Sequence, residues 1–173
     1  MAVVQRYHDT VSHWEIWNEP NLPLFWGKSD INAQAYTELL KGAYTAIKGV
    51  QPDSTVLAAG LSRSLQDGAP PIFVNAMYAA GVKGYFDAAA MHPYVFPGGD
   101  LATNPENGWS DVARVHQVMA DHGDGDKKIW MTELGAPTSA PTAEGVSQQE
   151  QARQITEVLA AAAATGYSGP AFI

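Results

Sequence analysis

Apolar positions along the chain alternate between two rhythms. Short β-branched and aromatic runs are each followed by a longer stretch whose apolar residues recur at helical spacing. The first run, Trp14-Glu15-Ile16-Trp17, ends in the turn residues Asn18-Glu19-Pro20-Asn21, where proline removes a backbone donor. A helix is expected to begin around Ser29, Asp30 or Asn32, all good N-cap residues, and to end at Pro52. Its apolar face is Tyr36, Leu39, Leu40, Ala43, Ile47 and Val50. Thr55 to Ala59 reads as a second strand closed by Gly60, and Pro70-Pro71 opens a helix that Gly81 caps. Phe86 to Met91 reads as a buried strand running into His92-Pro93-Tyr94. A Gly/Pro/Asn-rich loop from Pro97 to Gly108 leads to a helix marked by Val112, Val115, Val118 and Met119. Lys128 to Met131 is the fourth strand. Ser147-x-x-Glu150 is a capping box before a helix facing inward with Ile155, Val158, Leu159 and Ala162, and a last strand starts at Pro170.

The strands recur near residues 16, 57, 89, 130 and 171, at steps of 41, 32, 41 and 41. That is the rhythm of βα units around a parallel sheet, so the fold class is α/β. Closing a (β/α)8 barrel takes eight such units and about 250 residues. This chain offers five strands in 173 residues. The alternative is a doubly wound open sheet, but no Gly-x-Gly-x-x-Gly follows any strand. Length suggests one domain, residues 1–173.

Composition narrows the function classes. A 46% hydrophobic content supplies a core, and a formal charge of −8 argues against a nucleic-acid partner, which needs a basic face. No apolar run is long enough for a membrane helix. The absence of cysteine rules out thiol chemistry and disulfides. The five histidines form no His-Glu-x-x-His motif, so no metal is expected. Gly60-Leu61-Ser62-Arg63-Ser64 is close to a nucleophile elbow, but Ser64 stands where the second glycine belongs, leaving an esterase built on Ser62 a weak option.

Two carboxylates stand at equivalent strand ends, Glu19 and Glu133, 114 residues apart. Trp17-Asn18-Glu19-Pro20 resembles the acid/base signature of the clan A glycoside hydrolases, and Thr132-Glu133-Leu134-Gly135 resembles their nucleophile strand. His92-Pro93-Tyr94 falls between them, where the clan usually has a His-x-Tyr pair. The wider wording is most similar to family 39 and family 5, the cellulase family. The resemblance covers nearly the whole chain and implies a TIM-type (β/α)8 barrel that is incomplete, spanning about the fourth to eighth βα units.

The resemblance further implies a retaining O-glycosyl hydrolase without cofactor, cleaving a β-linked oligo- or polysaccharide by double displacement. Glu19 would be the acid/base and Glu133 the nucleophile. Asn18 would donate to the sugar 2-hydroxyl, and His92 and Tyr94 would line the site. Such enzymes are commonly secreted or periplasmic, although neither a charged region nor an apolar signal core follows Met1. The contrasting expectation is an inert barrel fragment or a carbohydrate-binding remnant. Phe25 and Trp26 are the best candidates for stacking on sugar faces, ahead of Trp17, Phe96 and Trp109. Glu15 lies on the same strand face as Glu19 and reads as a buried carboxylate needing a cationic partner, which the barrel units outside this chain could supply. An open half barrel would leave sheet edges uncovered, so self-association is expected.

Overall fold

The computed structural model describes residues 2–27, 30–95, 107–138 and 145–173. The expected elements of Phe96, of Ser29 and of most of the 97–108 loop lie outside them. After a short helix α1 (Ala2–Tyr7), five strands alternate with helices: β1 (His13–Asn18), α2 (Ala33–Val50), β2 (Thr55–Ser62), α3 (Pro70–Ala79), β3 (Ala88–His92), α4 (Gly108–Asp121), β4 (Ile129–Met131), α5 (Gln148–Ala164) and β5 (Ser168–Ala171).

The strands form one parallel sheet in the order β1-β2-β3-β4-β5. The order never reverses, and α2, α3 and α4 share one core with the outward residues of β2, β3 and β4. A doubly wound sheet would reverse its order and carry helices on both faces. The arrangement is therefore an arc of a (β/α) barrel. β1 and β5 are its edges, five strands into a fold that closes with eight.

Side chains alternate across the strands and so divide the interior in two. Val56, Ala89, Met91 and Ile129 pack outward against Tyr36, Leu40, Phe73 and Met119 of the helices. Leu57, Ala88 and Ala90 face inward with Trp130 beside them. The helices begin where their side chains permit. Asn32 caps α2 by accepting from the Ala35 amide, Asn107 caps α4, and Ser147 caps α5 through the Glu150 amide. Leu39 and Leu159 are exposed, contrary to the expected apolar faces.

β2 also departs from expectation. It runs through Gly60 to Ser62, and its pairing with β3 is irregular between Leu57 and Gly60. The two amides freed there are met by side chains. Ala59 N–H donates to the Tyr36 hydroxyl at 2.6 Å, and Gly60 N–H donates to Glu15 Oε1 at 2.6 Å. Tyr36 in turn donates to the Ile16 carbonyl at 3.0 Å, joining α2 to β1 and β2. The irregularity makes the site possible, because a bulge redirects the strand where a ligand or side chain must approach.

Candidate active site

Glu19, His92 and Glu133 meet at the carboxyl end of the sheet, the end where barrel enzymes place their chemistry. Glu19 is delivered by a sharp exit from β1. Trp17 and Glu19 both have left-handed backbones, with φ of 78° and 44°. This conformation is costly for side-chain-bearing residues and concentrates at functional positions. It turns Glu19 into the protein, where it is 7% exposed, and leaves Asn18 at the surface. The exit is tied down by Glu19 N–H donating to the Gly60 carbonyl at 3.1 Å. Buried Asn21 clamps the loop to its neighbour by donating from Nδ2 to the carbonyls of Ser62 and Gly68, at 2.7 and 2.8 Å.

His92, at the end of β3, is 1% exposed and sits between the carboxylates. Its Nδ1 is 2.8 Å from Glu19 Oε1 and 3.7 Å from Glu133 Oε2. Its Nε2 is 3.2 Å from the Thr132 hydroxyl. The ring fits only because residue 60 lacks a side chain. A Cβ there would lie 2.9 Å from His92 Cε1 and closer still to Nε2 and Cδ2. Glu133, after β4, is exposed, and the Tyr94 hydroxyl donates to its Oε2 at 2.9 Å. Burial first, and then the Glu133 carboxylate, push the Tyr94 hydroxyl up to about 12, so it stays a donor at any ordinary pH.

Glu15 differs from expectation. It is exposed on the inner face rather than buried. Its Oε1 accepts from Gly60 N–H and, at 3.0 Å, from the Thr132 hydroxyl. Desolvation around the carboxyl group raises its pKa, against the lowering effect of those hydrogen bonds. Gly60 and Thr132 stand in the motifs read from the sequence, but neither is assigned a role of its own there. The cross-strand proximity of Gly60 to His92 leaves no trace in a one-dimensional pattern.

The aromatic candidates separate by packing. Trp26 is half-buried, edge-on to Trp17 at 5.8 Å and to Tyr36 at 6.3 Å, and belongs with the helix-side core. Phe25 and Trp17 are exposed, and Trp17 Nε1 donates to the Phe25 carbonyl at 3.1 Å. Trp109 packs between the two helix-side clusters. Beyond Tyr94 a cleft opens between Ser62, Arg63, Leu65 and Asn107. Arg63 is ion-paired to buried Asp111 at 3.6 Å.

A ligating oxygen from each carboxylate and a ring nitrogen of His92 lie within 4.8 Å of one another. Carboxyl groups of a retaining glycosidase stand about 5–5.5 Å apart, and those of an inverting one about 6.5–9.5 Å. The two carboxylates are thus close enough to act on a single bond.

No protein-family model and no curated protein matches the chain. Solved structures do. A family 39 glycoside hydrolase from the gut symbiont Bacteroides cellulosilyticus WH2 superposes with a TM-score of 0.67 at 23% identity, over 99% of this chain and 34% of that one. A GH39 β-xylosidase from Caulobacter crescentus gives 0.66 at 21%, over 98% and 35%. Native xylanase 10B from Thermotoga maritima gives 0.62 at 14%, over 98% and 50%. The chain spans about a third of the length of the first two. These neighbours are a family 39 hydrolase, a xylosidase and a xylanase, so they lend no support to the cellulase-family half of the resemblance. The chain is a five-strand arc of the (β/α)8 barrel, similar in fold to the family 39 members of the clan A glycoside hydrolases.

Proposed function

We propose that residues 1–173 carry the two carboxylates of a retaining O-glycosyl hydrolase acting on a β-linked oligo- or polysaccharide. The observation that carries this reading is the pair itself: an oxygen of Glu19 and one of Glu133 lie within 4.8 Å of each other, both beside Nδ1 of His92. Glu19, buried and bonded to His92, is the acid/base. Glu133, exposed and oriented by the Tyr94 hydroxyl, is the nucleophile. Glu133 attacks the anomeric carbon as Glu19 protonates the departing oxygen, giving a glycosyl-enzyme. Glu19 then takes a proton from water, which releases the sugar with its configuration retained. Asn18, next to Glu19 and open to solvent, meets a sugar hydroxyl, and Phe25 stacks on a sugar face; the exposure of both supports these roles. The half-buried Trp26 serves that role only by supporting Trp17 and Phe25. The xylose-directed names among the structural neighbours favour a pentose-containing substrate.

The test separates the two carboxylates in the whole polypeptide that carries this chain. Glu133→Ala should abolish glycosyl-enzyme formation with every leaving group. Glu19→Ala should cost about 10²–10⁴-fold on a substrate that needs protonation. A dinitrophenyl glycoside needs none, so it should still glycosylate Glu133, and the intermediate should accumulate. Azide should release it as a glycosyl azide of retained configuration. Equal slowing of both substrates without azide rescue would show that Glu19 is not the acid/base. A catalytically inert fragment would show no turnover and no labelled Glu133.

A further inference from the structure

Glu15 plays no part in the double displacement, yet a line of hydrogen bonds runs from it to Glu19. Its Oε1 accepts from Gly60 N–H at 2.6 Å and from the Thr132 hydroxyl at 3.0 Å. An ionised carboxylate can only accept, so Thr132 commits its single proton to Glu15. The Thr132 oxygen then faces His92 Nε2, 3.2 Å away, with lone pairs alone. Nε2 must therefore carry a hydrogen. On the other side of the ring, Nδ1 lies 2.8 Å from Glu19 Oε1, a separation that requires a proton between them. With Nε2 already protonated, that proton is an additional one, held by the Glu19 carboxyl or by the imidazole. Without the relay, a neutral imidazole would place its one hydrogen on Nδ1 and donate it to ionised Glu19. The pair would then have no proton to give.

We infer that Glu15 is a positioning residue: through Thr132 it fixes His92 with hydrogen on Nε2, which obliges a transferable proton to bridge His92 Nδ1 and Glu19. The inference deepens the glycosidase reading and rests on Glu19 being the acid/base. Gly60 serves it twice, with its amide on Glu15 and with the space left by its missing side chain.

The experiment is long-range ¹H–¹⁵N correlation spectroscopy of the His92 ring near neutral pH. The native protein should show a protonated Nε2. Thr132→Val removes the hydroxyl with little change of shape, and the ratio of Nε2–H to Nδ1–H forms should fall about tenfold, roughly the worth of one hydrogen bond. Thr132→Ser should restore it. Glu15→Leu frees the Thr132 hydroxyl to donate to the ring, and should shift the ratio the same way without touching His92. If Glu15→Leu does not fold, the Thr132 pair decides. A bare Nε2 in the native protein, or ring nitrogens unchanged by Thr132→Val, would overturn the inference. The measurement needs no turnover. Native-like shifts in a protein that hydrolyses no glycoside would sink the functional proposal and leave the relay standing.

Discussion

Adding one methyl group at residue 60 should damage both the fold and the site through a single contact. In Gly60→Ala the new Cβ would lie 2.9 Å from His92 Cε1 and nearer to two other ring atoms, where unstrained carbon contacts are about 3.5–4.0 Å. The ring must retreat, which breaks its contacts to Glu19 at 2.8 Å and Thr132 at 3.2 Å. Two hydrogen bonds at about 0.5–1.5 kcal/mol each, plus overpacking at about 1–3 kcal/mol, give a loss of about 2–6 kcal/mol. Reduced unfolded-state entropy offsets about 0.4–1 kcal/mol of it. The clean measurement is a double-mutant cycle by urea denaturation. In a His92→Ala background the clash is absent, so Gly60→Ala should cost less than about 1 kcal/mol there. The coupling between the two sites should therefore exceed about 1 kcal/mol. An equal cost of Gly60→Ala in both backgrounds would refute the steric argument.

Tyr36→Phe removes a hydroxyl that serves Ala59 N–H and the Ile16 carbonyl, and the buried amide left behind should lower stability by about 1–3 kcal/mol in the same denaturation assay. Tyr94 titrates at about 12 when folded and at about 10 when unfolded, so the folded state holds more protons between those values. Its contribution to stability is whole below pH 10 and fades as the pH rises toward 12. A Tyr94→Phe variant should lose stability less steeply than the native protein over that window, and parallel curves would contradict the assignment. Among the described residues β1 and β5 are each paired along one side only, so sedimentation should find the isolated 173-residue chain self-associated; a monodisperse monomer with a sharp melt would show otherwise.

The barrel arc was legible because its information is periodic. Each strand is a short run of β-formers and each helix an amphipathic stripe, and all five strands fall at the expected positions. The carboxylate pair was legible because each partner ends a strand, and parallel strands bring their ends together. Contacts made across the sheet were not. Gly60 looks like a strand terminator in sequence, but it lies inside β2, where a side chain would collide with a ring one βα unit further along the chain. Glu15 reads as a buried carboxylate, but it is exposed on the inner face and bonded to a bulge amide and a hydroxyl, which leave no trace in a one-dimensional pattern. Leu39 and Leu159 fit the helical stripe yet remain exposed, because a stripe records spacing and not which neighbours are present to cover it.

The left-handed backbone at Glu19 has a consequence for how this chain could decay. Such a conformation costs a side-chain-bearing residue about 1–2 kcal/mol, and glycine or asparagine would occupy it more easily. Residue 19 is therefore a place where local stability and a carboxylate are opposed. Most positions in a protein that lost its chemistry would drift without any preferred direction. Here the drift would have a slope, away from glutamate and toward residues that relax the turn. On the proposed reading of Glu19 as the acid/base, position 19 is thus a sensitive marker of retirement from catalysis, and in this chain it holds a residue that the backbone alone would discard.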